Sequence, residues 1–153
     1  MDQPTATIIG ALLGFLGGLA TARAAYQQKG DELFFKALDF LGGGSQKRNL
    51  GIATIEMYWS NKRHRPVSVS LLIGSAIYLL LESGQEDAAH EVHNLERIMT
   101  HLLRSESRSF SSRSQYERLL EAVRTAQQPH RTGGLKVQAS RLKEWESAVQ
   151  LLR

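Results

Sequence analysis

Hydrophobic positions recur with helical spacing over most of the chain. In the segment 85–103 the apolar residues lie four, three, four and three positions apart, which is the spacing of one helix face. The segments 115–128 and 135–152 carry similar apolar stripes. The chain has only three prolines and is rich in Leu, Ala, Glu, Arg and Gln, which favour helices over strands. The sequence therefore predicts an all-α protein, with a small bundle of about six helices after the N-terminal segment.

Two further helices are predicted before this region. The first covers 31–41, with Asp31 as its N-terminal cap. The glycine-rich turn GGGS at 42–45 ends it, and Ser45 caps the next helix, which continues to Trp59. Because apolar residues lie on most sides of that second helix, we expect it to be buried between neighbours.

The helix that begins at Pro66 and ends at Gly84 is strongly apolar. Its apolar core of about 15 residues is interrupted by serines and is short for a bilayer span, so we predict a buried core helix. The alternative is a second membrane span, since the basic residues at 62–65 precede it as a cytoplasmic flank does.

The N-terminal segment is predicted to anchor the chain in a membrane. Over residues 6–25 the only charged residue is Arg23, and about 20 apolar residues are needed to cross a bilayer. A cleaved signal peptide, with an A-x-A site at 20–22, and a buried soluble helix are the alternatives. No basic residue precedes the span, whereas Lys29 and Lys36 follow it. This asymmetry predicts an inner-membrane protein with its N-terminus outside and the remaining chain in the cytoplasm.

Small residues recur every four positions along the predicted span. They form one ridge of the helix: Ala6, Gly10, Gly14, Gly18 and Ala22. In a bilayer such a ridge lets two helix backbones approach closely and thereby promotes their association. We therefore expect a homo-oligomer, or pairing with another membrane helix.

Composition narrows the classes of function. The chain contains no cysteine, which excludes disulfides and sites built on a thiolate. Its net charge of +4 suits contact with an anionic membrane surface and is too small to indicate a nucleic-acid partner.

These patterns divide the chain into five segments. They are an anchor at 1–25, a joint at 26–30, a helical core at 31–103, a Ser/Arg-rich linker at 104–114 and a C-terminal helical hairpin at 115–153.

One helix face in the predicted core carries a run of polar residues. The face lies opposite the leucine stripe of 85–103 and consists of Glu86, His90, His93, Arg97 and His101. We interpret it as a solvated face and a candidate interaction surface. Two histidines and a glutamate are also metal ligands, but the spacing H-E-x-H differs from the H-E-x-x-H of zinc hydrolases. We therefore predict no metal and no cofactor, with a pH-sensitive contact as the further alternative.

Basic residues form two other candidate sites. Lys47 and Arg48 follow the GGGS turn, where free helix amides could hold an anion. Lys62, Arg63 and Arg65 lie in the densest basic loop and are candidate contacts for an anionic lipid surface.

The stretch FFKALDFLGGGSQKRNLGIATIEMYW, followed by another apolar helix, resembles the helical hairpins of HEAT or armadillo-like repeats. It is similar in particular to short repeats that follow membrane helices in small bacterial proteins of unknown role. The resemblance covers at most residues 33–82. It implies a protein-interaction surface and carries over no catalytic residue.

Together these features predict a membrane-anchored, self-associating helical adaptor that is not an enzyme. Its cytoplasmic helices would present a surface to an unidentified protein partner. The alternative is a small membrane effector of the toxin or defence type, in which the glycine ridge oligomerises and perturbs the membrane when the remaining chain senses a ligand or partner.

Overall fold

The structure is a computed structural model that describes residues 21–25, 27–37, 39–59, 61–84, 88–104 and 112–152. Contacts divide the chain into two compact units, Met1–Lys36 and Ala37–Arg153. The described residues of the first unit are helical. Residues 27–30, predicted as a joint, and Asp31, predicted as a helix cap, therefore both lie in helical conformation.

In the described part of the second unit, five helices have the following bounds: α1 (Ser45–Tyr58), α2 (Arg65–Leu81), α3 (Ala88–Leu102), α4 (Arg113–Ala126) and α5 (Ala139–Leu152). Residues 39–41, which precede α1, are also helical. All regular secondary structure among the described residues is helical, which confirms the predicted all-α fold class.

The apolar helix α2 lies at the centre of the second unit, where it packs against both α3 and α4. Its buried apolar residues are Val69, Leu72, Ile73, Ala76, Leu79 and Leu80. The prediction of a buried core helix is therefore confirmed. The remaining pairs pack at the sides, with α1 against α3 and α5 against α4.

A search for membrane spans finds no described helix with the length and hydropathy to cross a bilayer. Residues 6–20 of the predicted span lie outside the described residues. The last five residues of the span, 21–25, are helical. The N-terminal anchor therefore stays a prediction.

The helix α1 differs from the prediction that it is buried on most sides. Ile52 and Ile55 are buried, but Leu50 and Met57 are 57% and 79% exposed. One side of α1 packs against α3, Ala37 and Leu41, and Leu50 and Met57 lie on the side that stays exposed. On its packed side Gly51 permits close approach, since a Cβ atom there would lie 2.8 Å from the carbonyl oxygen of Ala37.

The loop 131–135 closes the C-terminal end of α2. The amide of Leu135 donates to the carbonyl of Leu79 (2.9 Å), and the amide of Gly134 donates to that of Ser83 (3.1 Å). Gly134 has a positive φ of 80°, a conformation that favours glycine. The Arg131 guanidinium donates to the carbonyls of Leu80 and Leu135.

Three helix ends differ from the predicted boundaries. Helix α1 has Gly44 as its N-cap, and Ser45 is its first helical residue. Helix α4 starts at Arg113, because Ser112 and Gln115 form a capping box there. Helix α5 starts at Ala139 instead of Leu135.

Candidate functional site

An open groove of about 810 Å³ lies beside the start of α1 in the described part of the second unit. Small residues form most of its lining: Gly42, Gly43, Gly44, Ser45, Ser70, Gly74, Ser75, Ser83 and Gly84. Leu41, Leu71 and three larger polar residues, Arg48, Tyr78 and Glu91, complete it. The groove therefore combines a wall that permits close backbone approach with a polar floor.

The turn 42–44 and the helix α2 position the two sides of the groove. The amide of Gly43 donates to the carbonyl of Phe40 (3.1 Å), which closes the turn before α1 begins. On the opposite side, Ser70, Gly74 and Tyr78 follow each other at four-residue intervals on one face of α2. A Cβ atom built at Gly74 would meet no other atom within 4 Å, so this position opens directly into the groove.

The floor is a buried ion pair between Arg48 of α1 and Glu91 of α3. The two residues are 6% and 4% exposed. Arg48 also donates from Nε to the carbonyl of Leu41 (3.2 Å) and from Nη2 to that of Gly43 (2.9 Å). Its guanidinium carbon lies 5.3 Å from the centre of the Tyr78 ring. The arginine is therefore held by the turn, by α2 and by α3 together.

Asn94 completes the network around Glu91. Its Nδ2 atom lies 3.2 Å from Oε2 of Glu91 and 3.2 Å from the carbonyl oxygen of Ser45, and donates to both. Asn94 is 1% exposed. Because each charge is paired and hydrogen-bonded, the floor is electrically neutral and its side chains are fixed.

Arg48 was predicted as an anion or lipid contact. In the structure its side chain lies in the floor of the groove, is 6% exposed and pairs with Glu91, which compensates its charge. Lys47, the neighbouring candidate, is exposed.

The sequence pattern alone did not single out Glu91 and Asn94 as site residues. The available signal was the position of Glu91 on the same helical face as Leu95, Ile98 and Leu102, where a charged residue is unexpected.

The predicted polar face of α3 is divided between solvent and the interior. His90 and His93 are exposed, and Glu86 lies outside the described residues. Arg97 and His101 are packed against α1, which corrects the expectation of a solvated face. Arg97 donates to Glu56 from Nε (3.2 Å) and from Nη2 (2.5 Å), and His101 Nε2 lies 2.9 Å from Glu56 Oε1.

These contacts determine the protonation of Glu56. Burial by itself raises the pKa of its carboxyl group. Hydrogen bonds and positive charge from Arg97 and His101 outweigh that effect, so the pKa lies below the ordinary value of 4.5. Glu56 is therefore ionised at neutral pH and holds α3 to α1.

The described residues do not form a metal site. Among the described residues no three His, Cys, Asp or Glu side chains lie close enough together to hold a metal ion. Of the predicted ligand set, His90 and His93 are described and line a small cleft with Gln46 and Asn49.

The basic loop has two exposed and two packed residues. Lys62 and Arg63 are exposed. Arg65 donates from Nε to the carbonyl of Trp59 (2.7 Å) and is partly buried. His64 is buried, and its ring lies against Tyr58 at a centroid distance of 5.6 Å.

The predicted oligomerisation ridge is almost wholly outside the described residues. Ala6, Gly10, Gly14 and Gly18 belong to the part that is not described, whereas Ala22 is helical and exposed. Self-association through this ridge therefore stays a prediction.

Within the described second unit, the groove offers small residues on its walls and a fixed, neutral ion pair on its floor. The charged groups of the floor are satisfied by each other, so the groove presents no unpaired charge from this pair. In the comparisons with known proteins, no family model, no curated protein and no solved structure matches the chain.

Proposed function

We propose that this chain is a membrane-anchored, self-associating helical adaptor, and that its second unit binds a helix of a partner protein in the groove. Anchoring and self-association are inferred from the apolar segment 6–25 and its four-residue spacing of small residues. Binding is inferred from the geometry of the groove.

The single observation that carries the binding proposal is the exposed face of α2 along the groove. Leu71, Gly74 and Tyr78 share this face, with spacings of three and four residues. It extends over about two helical turns, or roughly 10 Å. Gly74 is exposed and Tyr78 is 42% exposed, although α2 is otherwise the buried centre of the unit. Helices that recognise partners in grooves use anchors at this spacing.

The lining supports a helix as the occupant. Glycine and serine on both walls allow a helix backbone to come close to α2, and the turn 42–44 limits the opposite side. The Arg48–Glu91 pair gives the floor no net charge, so an apolar helix with a small polar contact fits better than a charged ligand.

The test is a substitution that fills the groove without disturbing the core. In Gly74→Leu the new side chain projects into open space, and the helix interior loses a glycine. We expect the full-length variant to fold with an unchanged or higher melting temperature. The amount of a partner protein that co-purifies with the wild type from crosslinked native membranes should fall at least tenfold in this variant.

The matched control is Ser147→Leu, which adds a leucine at an exposed position of α5 away from the groove. This variant should retain the partner that Gly74→Leu loses. Identical sets of crosslinked proteins in the wild type and in Gly74→Leu would refute the groove as the binding surface.

A further inference from the structure

Four helix ends and one loop meet at the same end of the second unit. Arg65, at the start of α2, donates to the carbonyl of Trp59 after α1. The Trp59 ring lies 5.0 Å from that of His101, near the end of α3. Tyr116, in the first turn of α4, donates from its hydroxyl to the carbonyl of Leu102 (3.1 Å). The ends of α1 and α3 and the starts of α2 and α4 are therefore adjacent.

This end is rich in positive charge. We call it the basic end and define it by Lys62, Arg63, Arg65, Arg104 and Arg113. All of these except Arg65 are classed as exposed, and Arg65 is partly buried beside the Trp59 ring. The basic loop at 62–65 supplies three of these residues, and the fold adds Arg104 and Arg113 from two other parts of the sequence.

The carboxylates along these helix ends neutralise only part of this charge. Glu56 binds Arg97 and His101, and Glu117 pairs with Arg113 one turn away (3.1 Å). No carboxylate in the described part of the chain forms an ion pair with Lys62 or Arg104. In the described part of this end, Lys62 and Arg104 therefore leave positive charge facing solvent.

Exposed apolar side chains flank the basic loop. Met57, near the end of α1, is 79% exposed, and Val67, near the start of α2, is 47% exposed. Basic side chains beside exposed apolar ones are the pattern of a surface that contacts lipid headgroups and the adjoining acyl chains. The apolar flanks favour a lipid surface over nucleic acid, since the Trp59 ring at this end is buried and is not open to stacking on a base.

We propose that the basic end docks on an anionic lipid surface, with Met57 and Val67 entering the headgroup region. Each basic side chain near such a surface contributes about a fivefold change in binding, and added salt screens this contribution. The inference goes beyond the proposed function, because the groove lies along α2 whereas the docking surface is formed by the helix ends.

The absence of cysteine makes a site-specific test straightforward. Full-length Val67→Cys protein is labelled with the environment-sensitive dye NBD and reconstituted with vesicles of phosphatidylcholine, with or without phosphatidylglycerol. We expect a blue-shifted and brighter emission only with phosphatidylglycerol, and its loss at high salt. The control label is placed by Lys136→Cys, next to the loop that closes the opposite end of α2, and should not respond.

Charge variants of the labelled protein identify the residues involved. Lys62→Glu and Arg104→Glu should each weaken the response at least fivefold, whereas Lys136→Glu, with the same change of net charge, should leave it intact. Equal emission from both kinds of vesicle, or an equal response from position 136, would overturn the proposal. The same shift produced by RNA without vesicles would also overturn it, in favour of a nucleic-acid surface. None of these outcomes affects the crosslinking comparison of the wild type with Gly74→Leu. The lipid-docking proposal and the groove proposal can therefore fail separately.

Discussion

At the scale of single residues, the buried Arg48–Glu91 pair links α1 to α3. Both side chains are nearly inaccessible to water, and each compensates the charge of the other. Arg48 also donates to the carbonyls of Leu41 and Gly43, so it holds the turn 42–44 in place. The shape of the groove therefore depends on a charge pair in its floor.

We expect the single variants Arg48→Met and Glu91→Leu each to lower the free energy of unfolding by about 3–5 kcal/mol, because each leaves one buried charge without its partner. The double variant should lose clearly less than the sum of the two. Urea denaturation of the full-length proteins measures this coupling. As a control, removal of the exposed Arg113–Glu117 pair should cost about 0.5 kcal/mol or less. Strict additivity of the buried substitutions would contradict the account.

At the scale of helices, α2 depends on residues that follow it much later in the chain. Its last carbonyls accept hydrogen bonds from Leu135 and Arg131, and the backbone of Gly134 lies against Leu80. The C-terminal part of the chain therefore completes the central helix as well as adding helices beside it.

We expect Gly134→Ala to destabilise the unit by about 2–4 kcal/mol, since it combines a positive φ with a Cβ atom 1.9 Å from the Leu80 carbonyl oxygen. The matched control is Gly74→Ala on α2, where the added methyl group meets open space. That control should be neutral or stabilising by up to about 1 kcal/mol. Similar melting temperatures for the two variants would argue against the closing role of the loop.

At the scale of the whole molecule, the pH dependence of unfolding reflects how α1 is attached. The pKa of Glu56 is lowered in the folded state, so its contribution is fully present above the ordinary value of 4.5 and is lost as the pH falls through the lowered pKa. Acid should therefore weaken the contact between α1 and α3.

We expect Glu56→Gln to be less stable than the wild type by about 1–2 kcal/mol at pH 7, and this difference to shrink below about pH 4.5. Urea titrations at a series of pH values and constant ionic strength provide the measurement. Glu144→Gln, on the exposed surface of α5, serves as the control and should show a smaller effect. A difference between wild type and Glu56→Gln that stays constant down to pH 3 would be inconsistent with this role.

The sequence predicted the helices better than the contacts between them. The stripe of α3 and the apolar length of α2 follow from spacing within one segment, and both helices are present. The partner of a face lies elsewhere in the chain: Glu91 is 43 positions from Arg48, and Arg97 is 41 from Glu56. Spacing alone therefore assigned Arg97 to solvent and Arg48 to an anion. The exposure of Met57 was missed for the same reason. An apolar residue type does not show whether its helix lies at the edge of the bundle.

The closing loop at 131–135 has a consequence for synthesis of the protein on the ribosome. Arg131 follows Leu80 by 51 residues, so α2 leaves the ribosome well before the residues that close its end. For most of this interval the most apolar described helix has neither α4 nor the loop to cover it. The nascent chain therefore passes through a stage in which the future centre of this unit is an uncovered hydrophobic stretch, open to association with other chains until the C-terminal residues follow.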